Sequence, residues 1–475
     1  MQMIEEGARP DNRSAVARHL EEFSNRYRSL KEGVVWGLAA SGGADSTALV
    51  LATAELGVRA VLLHVNYGLR GMESEADEAF VRQLAAQHQF DVRVLRVTPA
   101  NKSEAALREI RYAWFRECGF PAILTGHTLD DQAETVLHRI LRGTGVEGLR
   151  GIRPFLEDGI YRPFLGLRRN DLRAYLRERA QPWREDSSNE SLDYRRNFIR
   201  QDLLPKISST LNPEAALALA RLAKIADEEE PWLGAMVADL APHFTRREAG
   251  GWIVNAEDLA QTPPALQRRL LRHVCKLLNP AGEISFDHIE QARGLCLQAE
   301  GSGRLQLPGL DLLRSFGEVR FAALSAAGAE ERRNWRFPLE IGEVLHLPDG
   351  AGELRATVEE ISQYNENGED LDWKRLSSGL LPNQGLEVRN WRPGDEICQV
   401  GRENPEKLKE LFQKFRIPLW QRRNWPIVVL ADVPVWSRQF GASAKFAAGR
   451  ECSQRLRIHW APAEDPGGQL ASPEV

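Results

Sequence analysis

Val34–Val58 reads VVWGLAASGGADSTALVLATAELGV, an apolar run closed by two glycines between serines and followed at once by helix-period spacing. Glycine lets the backbone approach an anion closely, and the unpaired N–H groups of a following helix, together with its dipole, hold phosphate. A tight connection that merely needed glycine is the plainer alternative. A phosphate-gripping G-x-x-x-x-G-K-[ST] run is missing from the chain, and with it the lysine that would reach terminal phosphates. G-x-G-x-x-G is absent at this position as well, so kinase, GTPase and dinucleotide-dehydrogenase readings all weaken.

Outward from this stretch, Val34–Ala40, Val58–Val65, Val92–Val97 and Ala122–Leu124 are short apolar or β-branched runs, each followed by a helix-period segment. The expected fold class is therefore α/β, a doubly wound, mainly parallel sheet over residues 1–207 with helices on both faces. Ligands in such sheets sit beyond the carboxyl ends of the strands, where Ser41–Ser46 falls. Residues 208–323 read as a helical middle domain, with Asn212-Pro213 as N-cap and first helical residue of one helix. Small polar residues around Leu324–Arg333 read as a linker. Residues 336–461 read as a small mixed α/β domain of six strands, interrupted by one helix capped by Asn404 with Pro405 behind it. The tail 462–475 has too little apolar content to pack.

Hydrophobic content of 43% with 27% charged residues leaves ample apolar surface for cores. The N-terminus MQMIEEGARPDNRSA is acidic and polar where a signal peptide is basic and then apolar, and no apolar stretch is long enough to span a bilayer. A cytoplasmic protein that does not enter a membrane is expected. Five scattered cysteines imply buried reduced thiols and neither a disulfide framework nor a zinc knuckle. A formal charge of −5 opposes polyanion binding by the whole surface. Its distribution differs: Arg139–Lys206 carries fifteen Lys and Arg against ten Asp and Glu, which suits either a nucleic-acid footprint or an ion-paired helical face.

A second motif, TGHTLDDQAETVLHRILRGTGVEGLRGI at Thr125–Ile152, sets Thr128 three residues before Asp131 in capping-box spacing. Capping explains either aspartate singly. It explains less well the concentration of His127, Asp130, Asp131 and Glu134 at the end of another strand, facing the same crevice as the glycine turn.

Ser41, Gly42, Gly43, Asp45 and Ser46, with Ala44 between, match S-G-G-x-D-S, and this resembles the loop of the N-type ATP pyrophosphatases. Together with HVNYGLRGMESEADEAFV (His64–Val81), SEAALREIRYAWF (Ser103–Phe115), the Thr125 motif, the Arg-rich Tyr161–Pro205 and Trp391–Leu430, the chain resembles the tRNA(Ile)-lysidine synthetase family in order and spacing. That resemblance implies ATP and Mg²⁺ as cofactors, free lysine and an isoleucine tRNA with a CAU anticodon as partners, and adenylation of the wobble cytidine before lysine displaces AMP. It implies a loop cradle at Ser41–Ser46, a metal held by Asp45 and Asp131, and proton or ammonium roles among Asp130, His127 and Glu134, which stay unranked. Arg108 and Arg111, three apart on one helix face, are a surface pair bridged to Glu104 or, by the resemblance, crevice groups on substrate. Arg195, Arg196, Lys407 and Lys409, with Lys414 and Arg416, are expected on tRNA phosphates. Trp183, Trp391, Trp420 and Trp425 are base-stacking candidates, each better placed in a core when taken alone. A homodimer is compatible with all of this.

Where the family shows V-N-H-G-L-R this chain has Val65-Asn66-Tyr67-Gly68-Leu69-Arg70, and a neutral phenol is no readily titrating base, so Tyr67 receives no catalytic part. Three other readings stand beside this one, of which a small-molecule amidotransferase or ligase with the same loop leaves the Arg-rich segment and the two added domains unexplained. A tRNA sulfur transferase would share the loop, but its chemistry commonly uses clustered cysteines, and here the nearest pair, Cys275 and Cys296, are far apart in sequence. A non-catalytic tRNA-binding protein is opposed by the intact Ser41, Asp45, Ser46 and Asp131.

Overall fold

The computed structural model describes residues 13–31, 33–185, 197–248, 250–299, 301–324, 334–348, 351–360, 369–378 and 385–462. By compactness the chain divides into Met1–Leu233 and Gly234–Val475.

The first unit is built on β1 (Trp36–Ala39), β2 (Ala60–Asn66), β3 (Asp91–Arg96), β4 (Ile123–Leu124), β5 (Phe155–Leu156) and β6 (Ile160–Tyr161), in sheet order β3-β2-β1-β4-β6-β5. Only β5 runs antiparallel, as the return arm of a short hairpin with β6. The four expected strands are present. β3 is an edge strand that alternates between exposed and half-buried positions, whereas the expectation was a run buried on both faces. The hairpin was not foreseen, because two-residue strands carry no periodic signal.

Helices α1 (Ala15–Ser24), α2 (Ala44–Glu55), α3 (Met72–Gln87), α4 (Glu104–Glu117), α5 (Leu129–Leu141), α6 (Val146–Leu149) and α7 (Arg169–Glu178) accompany this sheet. α2 is buried from Ser46 through Thr53, which its unbroken small and apolar composition allows, and it packs against α1 and α7. Its core includes Trp36, Leu38, Leu49 and Leu62. The strand order turns at β1: β2 flanks it on one side and β4 on the other. Loops after β1 and β4 therefore lie side by side at the carboxyl edge, the switch point at which such sheets bind ligands.

The second unit corrects the expectation of a helical middle domain. The helix Ala215–Phe244, which begins in the first unit, leads into β7 (Thr245–Glu248) and β8 (Gly251–Asn255). Helices Ala256–Ala260, Pro264–Leu278 and Phe286–Leu297 precede β9 (Gly303–Leu307), β10 (Leu310–Ser315) and β11 (Glu318–Ala323). These strands form an antiparallel sheet in the order β7-β8-β11-β10-β9. Leu310, Leu312, Val319 and Phe321 point into its core while their neighbours do not, the period-two pattern of a one-faced sheet. The first of these helices starts at Ala215, with Asn212 Oδ1 accepting from the Glu214 N–H at 2.9 Å, slightly later than the Asn212-Pro213 reading placed it.

Farther on the chain is largely β. One five-stranded sheet contains Leu386–Asn390, Pro426–Leu430 and Val433–Ser437, and a four-stranded sheet contains Val344–His346, Glu353–Glu360 and Gln454–Ala461, so all six expected strands are observed. The expected helix start at Asn404 is corrected: Glu406–Lys407 pairs as a strand with Glu396–Ile397, and the helix runs Leu408–Lys414. Trp425 is core, with Trp391 edge-on to Phe412 in the same cluster. Cys275 and Cys296 are buried, their thiols pushed up to about 12 by that burial, while Cys118, Cys398 and Cys452 are half-buried, short of full enclosure. Among the described residues no helix is long and apolar enough to cross a membrane. The linker from residue 325, most of the tail, Arg195 and Arg196 lie outside the described residues.

Candidate functional site

Ser41, Gly42 and Gly43 connect β1 to α2, and Gly42 takes φ +91°, a left-handed conformation that glycine adopts without strain. Gly43 caps α2 without any side-chain bond, so the first-turn N–H groups open toward the crevice. The hydroxyls hold the loop in shape: Ser41 Oγ lies 3.1 Å from Ser46 Oγ and accepts from the Gly43 N–H at 3.3 Å, while Ser46 Oγ donates to Gly43 O at 3.0 Å. The crevice above has a volume of about 530 Å³.

Across it runs the Thr125 motif. Gly126 presses on the start of α2 so closely that a Cβ there would lie 2.9 Å from both the carbonyl carbon and the oxygen of Asp45. We expect Gly126→Ala to push the two loops apart, with a loss of about 1–3 kcal/mol by overpacking and a raised KM for ATP. Thermal melting and ATP-dependent kinetics check this; an unchanged KM with unchanged melting would show that the contact is soft.

Thr128 and Asp131 form the capping box that their spacing announced. Asp131 Oδ2 accepts from the Thr128 N–H at 2.9 Å and from its hydroxyl at 2.8 Å. Oδ1 points the other way and accepts from Arg169 Nη2 at 2.8 Å and Arg200 Nη2 at 3.1 Å. Capping and site roles thus fall on separate oxygens of one carboxylate. Burial alone would raise this carboxyl; Arg169, His127, the Thr128 N–H and Arg200 outweigh it and hold it below the ordinary range.

The same Arg169 guanidinium gathers the other acids. Its Nε donates to Asp45 Oδ2 at 3.4 Å, its Nη1 lies 3.6 Å from Glu134 Oε1, and its backbone N–H donates to Asp130 Oδ2 at 2.7 Å. Arg200 grips Glu134 with two bonds of 2.7 and 2.9 Å, and that carboxylate is only 1% exposed. Asp45 differs from both: burial raises its carboxyl to about 6 against the pull of Arg169, and its Oδ1 is enclosed with no hydrogen-bond partner among the described residues. His127 Nδ1 lies 2.8 Å from Thr125 Oγ1, and burial holds the imidazole well below its ordinary value, so it is neutral at pH 7.

Tyr67 is occupied with the fold. Its hydroxyl donates to Leu107 O at 2.8 Å and accepts from Arg111 Nε at 3.3 Å, which fixes Arg111 on the crevice wall. Arg108 stacks over the Tyr112 ring, 4.5 Å from its centroid. Lys407 and Lys409 are exposed residues of the second unit. Five groups escaped the sequence reading as individuals: Arg169 and Arg200, which pair the acids; Arg184 and Asp77, which meet beside the glycine loop at 2.9 Å; and Arg162, buried against Tyr112. The sequence signals for the arginines were the local excess of positive charge and the Arg-rich runs around Arg169 and Arg200, expected on tRNA phosphates, whereas these two arginines are found paired with Asp131 and Glu134. Much of that excess is spent internally, as in Arg179–Glu55 at 2.6 Å and Arg168–Glu214 at 2.5 Å.

Among the described residues no cluster of three or more His, Cys, Asp or Glu is placed to hold a metal alone. Asp45 and Asp131, sharing one guanidinium, do fit Mg²⁺, which is usually bound by one or two carboxylates plus substrate phosphates. No cysteine is among the residues lining the crevice.

Residues 12–207 match the family profile described as PP-loop domain, 255–320 the TilS substrate binding domain and 386–460 the TilS substrate C-terminal domain. The chain is similar to the tRNA(Ile)-lysidine synthase of Solibacter usitatus, 37% identical over 436 residues covering 88% of this chain and 96% of that protein. Similarity to the tRNA(Ile)-lysidine synthase of Geobacter sulfurreducens runs at 34% identity over 474 residues, 94% of this chain and 97% of the other.

Proposed function

The chain belongs to the tRNA(Ile)-lysidine synthase family, and on that premise we propose that it joins free lysine to C2 of the wobble cytidine in an isoleucine tRNA with a CAU anticodon. It is an ATP-dependent ligase that modifies tRNA. The observation that carries the proposed chemistry is the pairing of a glycine loop with opposed, arginine-held carboxylates at one switch point. The cytoplasm, where tRNA and free lysine meet ATP, is the proposed place of work.

A carbonyl oxygen on a pyrimidine ring leaves poorly, and joining it to AMP turns it into a good leaving group. In the first step the cytidine O2 attacks the α-phosphorus of ATP and pyrophosphate departs. In the second, the lysine amine attacks C2 and AMP departs. The first-turn N–H groups of α2 and the Ser41 and Ser46 hydroxyls receive phosphate oxygens. Mg²⁺ held by Asp45 and Asp131 supplies charge stabilisation on the phosphates when bound. Arg169 keeps those carboxylates ionised and aimed together. The buried Asp131–Glu134 pair offers an ammonium-shaped charge site, with Arg200 its present occupant. Asp130, His127 and Glu134 together supply the partners of the lysine ammonium and the acceptor of its proton, with His127, neutral and held far below its ordinary value by burial, a weak base for that step. Arg108 and Arg111 border the path of the base, which has to be unstacked from the anticodon loop to enter. The exposed Lys407 and Lys409, together with Arg195 and Arg196, serve tRNA phosphates.

The expected result with purified protein, ATP, Mg²⁺, radiolabelled lysine and this tRNA is label in the RNA, with one AMP and one pyrophosphate released per lysine. Folded protein that incorporates no label would remove the assignment.

A further inference from the structure

The glycine loop lacks the lysine with which other phosphate loops meet terminal phosphates. Its hydroxyls and N–H groups carry no full positive charge, yet the pyrophosphate that leaves it is highly anionic. Resting on the adenylating reading above, we propose that Arg184 supplies the missing cation and binds the departing pyrophosphate, with Asp77 as its positioning residue.

Three features of the chain place Arg184 there. Its backbone N–H donates to Gly42 O at 2.9 Å, tying the segment after α7 directly to the loop. Its aliphatic stem covers Gly42, where an added Cβ would lie 3.5 Å from the arginine Cγ. Its Nε donates to Asp77 Oδ1 at 2.9 Å, and the same carboxylate accepts from Arg70 Nη2 at 2.7 Å. Asp77 is 8% exposed and stands on α3, so it holds the guanidinium from a rigid base. Asp77 thus anchors two arginines, Arg184 and Arg70, the second of which also lies 4.0 Å from Glu73. Among the described residues neither terminal nitrogen of Arg184 has a protein partner, and the side chain lines the crevice together with Ser41, Gly43 and Ser46.

The approach to the loop is fixed as well. Gln181 is buried and donates to Pro182 O at 3.1 Å, and Trp183 packs on the sheet core. Arg184 is therefore held at the loop by its neighbours in sequence.

In the reaction the bond from cytidine O2 to the α-phosphorus forms while the bond from the α-phosphorus to its bridging oxygen breaks. The electron pair goes to pyrophosphate, whose charge grows on the side of the loop. A guanidinium there is permanently charged and offers two parallel donors to phosphate oxygens, so no proton has to move.

The test measures inorganic pyrophosphate and, separately, AMP as product inhibitors of lysidine formation, and by calorimetry as ligands in the presence of Mg²⁺. Losing a charge-assisted bond to phosphate weakens binding by about tenfold or more. Arg184→Gln is expected to raise the pyrophosphate inhibition constant by that factor and to leave the AMP constant and the KM for lysine within about twofold, with Arg184→Lys recovering part of the loss. Asp77→Asn, which keeps the arginine but frees it, is expected to shift the pyrophosphate constant in the same direction by less, and it decides the matter if Arg184→Gln does not fold. Equal shifts for pyrophosphate and AMP, or none, would overturn the assignment. Wild-type protein that forms no lysidine would fail the enzymatic reading instead, and the calorimetric comparison would still judge Arg184.

Discussion

Asp45→Asn is expected to abolish lysidine formation and, in the same protein without ligands, to raise thermal stability at neutral pH. Both outcomes come from one buried oxygen. Asp45 Oδ1 is enclosed and has no hydrogen-bond partner among the described residues, and burial raises the carboxyl to about 6 from 3.8. In the unfolded chain the same group titrates near 3.8, so between the two values the folded protein binds the extra proton. The favourable contribution of the protonated form is complete below the unfolded value and is lost as pH rises through the folded one. At pH 7 the ionised side chain thus opposes folding by up to about 3 kcal/mol, from a shift of about two units at 1.36 kcal/mol each. Asparagine keeps the shape without the charge, and its stabilising effect is expected to be largest above pH 7 and to vanish near pH 4. Activity is expected to move the opposite way if Asp45 holds Mg²⁺ as proposed, because an amide is a poor Mg²⁺ ligand; a fall of about 10³-fold or more follows from losing a transition-state charge contact. Calorimetric melting at pH 4, 5.5 and 7.5, beside label incorporation, reads both. A variant that melts at the wild-type temperature at every pH would show that Asp45 is better solvated than its enclosure implies.

Arg169→Met is expected to be the most damaging single change in the site. The guanidinium touches Asp45 and Asp131 and lies 3.6 Å from Glu134, and two of those acids are buried. Removing one partner of a buried ion pair costs about 3–5 kcal/mol because the other charge stays behind unpaired. Here one cation serves several anions, so the loss belongs at the upper end despite the remaining hold of Arg200. Adding Asp45→Asn to Arg169→Met removes one stranded charge, and the pair is expected to recover part of the lost stability through a coupling of about 0.5–3 kcal/mol. Arg169→Lys restores less, since an ammonium cannot span the fork from Asp45 to Asp131. Denaturant melts of the two single variants and the double variant measure the coupling. Strict additivity would mean that Arg169 and Asp45 act independently, contrary to their contact.

The parts of the site that were legible in the sequence are local ones. A glycine pair after an apolar run, and threonine three residues before aspartate, specify a turn and a cap through bonds between near neighbours. The pairings that charge the site join residues far apart in the chain: Arg169 reaches Asp131 across 38 positions and Arg200 reaches Glu134 across 66. Nothing in spacing announces such pairs; only the fold brings them together, and until then an arginine-rich stretch reads equally well as an RNA footprint. The middle region was misread for another reason. Helical segments such as Pro264–Leu278 are long and strongly periodic, whereas β9, β10 and β11 are five or six residues each and contain arginine, glutamine and aspartate on their open face. Their alternation was present but short, and the helices around them dominated. Pro405 behind Asn404 was a good helix opening in isolation; the pairing of Glu406–Lys407 with Glu396–Ile397 claimed that backbone first.

Asp131 carries an evolutionary consequence through its two-sided carboxylate. One oxygen closes the start of α5 while the other meets two arginines across the crevice, so architecture and chemistry are written on a single side chain. Lengthening it by one methylene would shift both ends at once, and neutralising it would unsettle the helix opening along with the arginines. Asp45, by contrast, is tolerated by the fold rather than required by it. Genetic drift that silenced this protein would therefore be free to pass through position 45 and barred at position 131, leaving well-folded relics that still keep their second aspartate.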